Sequence, residues 1–502
     1  MTFTRTEDNP FEDTSVLAED FIPDKVLGRD KELKEIEEIF QQIIDIEEPV
    51  NAFIYGISGT GKTVSVKHKQ QDLKTSLESY EDVHATFVYQ NCESLTSSYQ
   101  AAIAIANTYL KDPEYDFLSE QLGLSGDLIP SSGLPKDRVY EMLFEVLDSL
   151  TYRNTDYRSQ LEQALEQEQQ QEGRFVNVTA DSLVGLNDKS VDEKKEDVRA
   201  KLEEKYGIHS PEEVTNYVTV ILDEVDRIGT RDELLYEVPR SRTNGRLTNV
   251  RPSIIGISND IGYKESIQTK TDSSLRLKEI TFKKYSSEQL EDILRQRAEM
   301  AFSKDVGVSF IKLAAAYASK EGGDARYGID LLQKAGMKAK KQGDTKVMEE
   351  HLRIAQEEHE RNRVEEVTAD LGDHEKLVLA ALMYHDLRDE VPIKRQKLYE
   401  TYRNFADDLL ESSNGSRAVA EYLKGMSQLG LLKRGESYGG PGDSGFTYQL
   451  EKVDYNLIID VLKNTEPAGL TEPGLNLLPE QLVDSLANLN HTELRDSSVS
   501  FD

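Results

Sequence analysis

Four short apolar runs punctuate the first half of the chain: NAFIY at 51–55, ATFVY at 85–89, YVTVILD at 217–223 and SIIGIS at 253–258. Each fits a buried strand, and the stretches between them carry helical spacing. Strands alternating with helices predict an α/β fold with a parallel sheet over residues 15–283. The pattern lapses at 150–216, where EQALEQEQQQEG and DEKKEDVRAKLEEK are polar and rich in Gln and Glu. That stretch reads as an inserted charged surface helix, partly disordered and without chemistry of its own. Residues 284–367 are helical throughout, and SSEQLEDILRQRAEM opens on Ser and Glu placed like a capping box, so a small helical lid is expected. HEKLVLAALMYH then begins a run of helices that ends in YGGPGDSG, set between the apolar segments LGLL and FTYQL. Helices followed by a two-stranded wing describe a winged helix over 368–462. The ends, 1–14 and 463–502, are polar and turn-rich and are expected to be flexible.

A length of 502 residues suits two to four domains, each able to bury a core. No segment approaches the roughly 20 consecutive apolar residues that cross a bilayer. The opening MTFTRTEDNPFEDTSV lacks the basic and apolar regions of a signal peptide, and the lone Cys92 has no intrachain partner for a disulfide. These features predict a soluble, cytoplasmic protein with no membrane contact. Net charge is -33, so any polyanionic partner has to be met by a local basic patch, since nucleic-acid binding draws on Lys and Arg. Acidic residues in every segment also suit solubility at high salt and a halophilic source.

The first apolar strand runs straight into Gly56-Ile57-Ser58-Gly59-Thr60-Gly61-Lys62-Thr63, followed by Val64. This is the GxxxxGK[ST] spacing of a P-loop, which cradles ATP or ADP. Its glycines let backbone N–H groups turn inward around phosphates, Lys62 neutralises the β and γ oxygens, and the Thr63 hydroxyl holds Mg²⁺. The third apolar strand ends in Asp223-Glu224-Val225-Asp226. Asp223 is expected to hold Mg²⁺ through water, and Glu224 to polarise the water that attacks the γ-phosphate. SIIGIS ends at Asn259, placed to orient the same water. Gly322-Gly323-Asp324-Ala325-Arg326 precedes a helical run, so Arg326 is expected at a lid helix start, within reach of the γ-phosphate. Between Val391 and Arg434 eight basic residues face five acidic ones, a local reversal of the overall charge.

PDKVLGRDKEL, YGISGTGKT, NCESLTSSYQ, ILDEVD, IGISND and GGDARYGIDLL, in that order and followed by a winged helix, resemble the archaeal initiators related to the origin recognition complex and cell division control protein six. The resemblance covers about residues 15–460. It implies an AAA+ ATPase that binds double-stranded origin DNA and hydrolyses ATP slowly, as a switch. It further implies contact with other initiator subunits and the replicative helicase. It maps the adenine cradle onto Val26, Leu27, Arg29 and Tyr285, and a DNA-touching insertion onto the stretch from Tyr109 to Pro135. Ser416-Arg417-Ala418-Val419-Ala420-Glu421-Tyr422-Leu423-Lys424 resembles the recognition helix, and with Lys433, Arg434 and Tyr438 it forms the expected DNA-binding set. Two departures stand out. Lys270, in Gln268–Leu275, takes the place of the Arg that would act on a neighbour's ATP, and Lys lacks the planar fork. The wing tip from Ser437 to Asp443 carries no Arg, so its insertion into a minor groove is expected to be weak.

These features predict a replication initiator. The rival is a P-loop ATPase with a winged helix acting in transcription regulation or plasmid maintenance, and a winged helix used only for protein contacts is the other reading of the basic segment. A nucleotide kinase is disfavoured, because no acceptor pocket is evident and the winged helix would be idle.

Overall fold

The computed structural model describes residues 9–112, 115, 118–119, 122–124, 128–172, 175, 178–184, 193–228, 233–263, 277–440, 443–451, 455–466 and 477–487. It divides into two compact units, 1–352 and 353–502.

The first unit is built on five parallel strands: β1 (Ala52–Tyr55), β2 (Val83–Asn91), β3 (Thr215–Asp223), β4 (Val250–Ser258) and β5 (Lys278–Thr281), in the order β2-β3-β4-β1-β5. Both faces are buried, which is why β3 and β4 read as continuous apolar runs. Val218, Val220 and Leu222 face one cluster with α3 (Ser98–Leu110) and α4 (Lys136–Asp148). Tyr217 and Ile221 face the other, with α1 (Asp30–Ile44) and α2 (Lys62–Leu77). The register aligns Tyr55 with Ser258 and Asp223 with Ile257. Three strands therefore end level with one another, and the residues that follow them emerge at one carboxyl edge, where ligands of such sheets bind.

The polar stretch at 150–216 is more than one solvated helix. Its described residues form α5 (Asp156–Glu172), α6 (Ala180–Val184) and α7 (Glu193–Tyr206) around a buried cluster of their own that includes Tyr157, Leu161, Leu165, Leu183 and Leu202. The almost fully buried carboxylate of Glu168 is paired there with Lys205 and accepts the Tyr206 hydroxyl at 2.9 Å. Composition hid this core, because its few apolar residues are spread at helical intervals among Gln and Glu.

After β5 come the lid helices α8 (Ser287–Ala301), α9 (Val308–Lys320) and α10 (Ala325–Gln342). The expected capping box closes on Gln289 rather than on a Glu. The Ser286 hydroxyl accepts the Gln289 N–H, and the Gln289 side chain accepts the Ser286 N–H at 2.9 Å. Asp324 caps α10 by accepting the N–H groups of Arg326 and Tyr327, and Gly343 ends it with φ 80°.

In the second unit α11 (Asp373–Asp386) is the buried centre, with Leu377 to Met383 all inside. Around it lie α12 (Arg395–Leu409), α13 (Ser416–Gln428) and an antiparallel sheet in the order β6-β8-β7, made of β6 (Ile393–Lys394), β7 (Leu432–Gly440) and β8 (Asp443–Leu450). The two longer strands are the expected wing, and short β6 adds an edge that the sequence did not announce. Among the described residues no helix is long and apolar enough to cross a membrane.

Candidate functional site

The chain turns from Gly56 to Gly61 between β1 and α2. Gly59 and Gly61 hold φ of 69° and 83°, where a Cβ is crowded by its own backbone. Space forbids a side chain as well. A Cβ on Gly59 would lie 1.8 Å from Asp324 Oδ1, and one on Gly61 would lie 2.3 Å from the Tyr285 hydroxyl. The Thr60 hydroxyl donates to the Ile57 carbonyl at 2.7 Å, fixing the turn. Ile57 and Ser58 are exposed on its crest, and Val64 is half-buried on the first turn of α2. Lys62 is buried, and its ammonium donates to the carbonyls of Gly56 (2.7 Å) and Ile57 (2.9 Å) and to Asn259 Oδ1 (2.8 Å). Burial holds that ammonium down to about 8, against the pull of the Asp223 carboxylate.

Asp223 closes β3. Its Oδ2 accepts the Thr63 hydroxyl at 2.7 Å and the Tyr89 hydroxyl at 2.8 Å, and its Oδ1 accepts the Glu224 N–H at 3.0 Å. Glu224 stands at φ 53°, a left-handed conformation that costs a side chain about 1 to 2 kcal/mol. Its Oε1 accepts Asn259 Nδ2 at 3.3 Å. Its Oε2 is buried without a hydrogen bond among the described residues, the Arg227 Nε being an ion partner at 3.6 Å. Asn259 thus bridges Lys62 and Glu224. Asp226 steadies it, its Oδ1 accepting the Ser258 hydroxyl at 2.8 Å and the Asn259 N–H at 3.2 Å. Sequence reasoning gave no role to Asp226 or Tyr89. Asp226 could have been found from its place three residues after Asp223, whereas Tyr89 arrives from a separate strand with no motif around it.

Behind the loop, Val26 is buried and Leu27 half-buried. The Gly28 carbonyl accepts Gln289 Nε2 from the lid at 3.0 Å. Arg29 is buried; it donates to the carbonyls of Thr60 (2.9 Å) and Lys283 (2.6 Å), meets Glu32 at 3.4 Å, and stacks 3.7 Å from the centre of the Tyr285 ring. Three contacts to the protein hold its guanidinium, so Arg29 and Tyr285 brace the loop from behind. Arg326 lies at the start of α10, half-exposed, its guanidinium paired with Glu19 at 3.2 Å. The lid touches the loop through backbone, the Ala325 N–H donating to the Gly59 carbonyl at 3.2 Å. Gly59→Ala is expected to force this junction apart. The thermal transition should fall, since the left-handed φ alone costs about 1 to 2 kcal/mol, and affinity for fluorescent ADP should fall with it.

This donor set fits a phosphate chain with a hard divalent cation. Among the described residues it offers a buried ammonium, a hydroxyl and a carboxylate in contact, and a buried carboxylate oxygen without a donor. The segment with Lys270 lies outside the described residues, as do 441–442 of the wing tip and part of the stretch from Tyr109 to Pro135. Of that stretch, the described Tyr115, Leu118, Leu122 and Ile129 are buried in the sheet's core, and Asn107 clamps Ile129 with two hydrogen bonds of 2.8 and 2.9 Å.

In the second unit, Arg417 and Lys424 are exposed on α13, and Ser416 is half-buried at its first turn. The spacing of seven places Arg417 and Lys424 on one face, with exposed Glu421 between them. Lys433 and Arg434 are exposed on β7, against which α13 packs. Arg434 lies 3.2 Å over the Phe446 ring, and Lys394 lies 4.8 Å over that of Tyr438. Arg434 and Lys394 are therefore each laid against an aromatic ring.

Residues 291–357 match the family model described as the Cdc6 AAA+ ATPase-type lid domain, and 366–459 match the CDC6 C-terminal winged helix domain. ORC1-type DNA replication protein 15 of Haloarcula marismortui is 28% identical, covering 91% of this chain and 93% of that one. The solved structure of the Aeropyrum pernix ORC1 protein in complex with DNA is 26% identical with a TM-score of 0.58, covering 90% of this chain and 96% of that one. The ORC1-type DNA replication protein of Thermococcus kodakarensis is 30% identical, covering 84% of this chain and 83% of its own. With that extent of likeness, and with both matched domains in the expected order, the chain belongs to the ORC1-type family of AAA+ DNA replication proteins.

Proposed function

We propose that this chain initiates DNA replication by binding duplex origin DNA through its winged helix, with ATP·Mg²⁺ binding and slow hydrolysis as the switch. One observation carries the switch: the lid is bonded to the phosphate loop itself, Ala325 N–H to Gly59 carbonyl, with Arg326 next in the chain. A γ-phosphate on the loop changes the partners of both, and among the described residues Arg326 has only an exposed ion pair with Glu19 to give up. Mg²⁺ would be held by Thr63 and, through water, by Asp223, and would supply positive charge against the phosphate oxygens. Glu224 takes the proton of the attacking water, and Asn259 orients that water. Other initiator subunits and the replicative helicase are the protein partners of this reading, and the cytoplasm is its compartment.

On DNA, the face of Arg417 and Lys424 enters the major groove while Lys433 and Arg434 meet phosphate. Fluorescence anisotropy with origin and random duplexes from the source replicon, across a salt series, tests it. Arg417→Ala should cost roughly 1 to 3 kcal/mol on the origin duplex and relax preference at one position. Few phosphate contacts from a wing tip without Arg should give a shallow salt dependence. Equal affinity for both duplexes, untouched by Arg417→Ala and Lys424→Ala, would leave the winged helix as a protein-contact module and favour a role in transcription regulation or plasmid maintenance.

A further inference from the structure

Tyr89 stands near the end of β2, the strand next to β3, in register with Ile221. Its hydroxyl donates to Asp223 Oδ2 at 2.8 Å, the same oxygen that accepts the Thr63 hydroxyl at 2.7 Å. Its ring lies 4.3 Å under the Lys67 ammonium, one turn along α2 from Thr63. One side chain thus joins the loop helix, the edge strand and the acidic strand at the carboxylate on which the metal site depends.

We propose that Tyr89 is a positioning residue for the divalent cation, acting through Asp223. The inference rests on the ATP·Mg²⁺ reading above. Asp223 has two oxygens and, among the described residues, three donors: the Glu224 N–H holds Oδ1, while Thr63 and Tyr89 hold Oδ2. A Thr63 hydroxyl engaged with the cation would leave Tyr89 and the Glu224 N–H, one on each oxygen. Without the Tyr89 hydroxyl only the backbone donor remains, and the carboxylate is free to rotate about its last bond. A neutral donor withdraws little charge from a carboxylate, so its main effect is to fix direction. Outer partners of this kind typically matter about 10- to 100-fold in metal affinity or activity. The cation over the ring holds the phenol in place from the other side.

The test uses the full chain with ADP and Mn²⁺, free Mn²⁺ being counted by electron paramagnetic resonance, beside titration of fluorescent ADP in EDTA. Tyr89→Phe should weaken Mn²⁺ binding to the ADP complex about 10-fold while metal-free ADP affinity stays at the wild-type value. The Mg²⁺ concentration giving half-maximal turnover should rise in step. Tyr89→Leu, which also removes the ring, should show the same Mn²⁺ loss and a lowered thermal transition, so that metal binding follows the hydroxyl and stability follows the ring. Unchanged or tighter Mn²⁺ binding in Tyr89→Phe, with wild type binding normally, would overturn the positioning role alone. A wild-type chain that binds ADP but takes up no Mn²⁺ with it would overturn the metal reading from which the proposal starts.

Discussion

Glu224→Gln should keep ATP bound and lose turnover by about 100-fold or more, the contribution expected of a placed general base. The amide is close in size to the carboxylate and still accepts Asn259 Nδ2 on its oxygen, so the bridge from Lys62 through Asn259 survives. What disappears is the basic oxygen, Oε2, which lies buried without a hydrogen bond. Single-turnover hydrolysis of radiolabelled ATP, beside filter-binding of the same nucleotide, separates the two quantities. Wild-type turnover in Glu224→Gln would remove Glu224 from the role of base.

Lys62→Ala should act on the other quantity, lowering nucleotide affinity by roughly 100-fold, as expected for losing hydrogen bonds from a charged donor worth about 1.5 to 3 kcal/mol each. The ammonium also ties together the carbonyls of Gly56 and Ile57 and the Asn259 side chain, so its removal loosens the loop before any ligand arrives. Lys62→Arg separates the two causes. It keeps the charge but puts a bulky planar group into a buried space shaped for an ammonium, and affinity should remain far below wild type. Calorimetric titration with ADP checks both variants, and near-normal affinity in Lys62→Ala would contradict the assignment.

The parts of this site that the sequence discloses are those held by neighbours along the chain. Gly56 to Thr63 is a spacing within eight residues that follows a strand, and Asp223 with Glu224 ends another. Both strands are apolar enough to be seen, because a parallel sheet buries both faces. Asn259 and Arg326 could be named from order, but their contacts could not. That Asn259 joins Lys62 to Glu224 depends on β4 lying between β3 and β1, and crossover order is not written in local periodicity. Tyr89 was invisible for the same reason: an aromatic at a strand end is ordinary until the next strand is known to be β3. The helices of 150–216 show a different failure. Tyr157, Leu161 and Leu165 recur every fourth position, a helical stripe in plain sight, yet the surrounding Gln and Glu outweighed it in composition. Only the fold brings the Thr60 and Lys283 carbonyls to the Arg29 guanidinium.

The left-handed backbone of Glu224 sets a conflict between durability and use at one position. Glycine would relax the φ of 53° at no steric cost, and asparagine would tolerate it better than glutamate does. Drift under demand for folding alone therefore favours loss of the carboxylate. On the proposed function, a chain that still had to bind origin DNA but no longer needed to reset its nucleotide state would be expected to show the change here first, and to gain rather than lose thermal stability when it did.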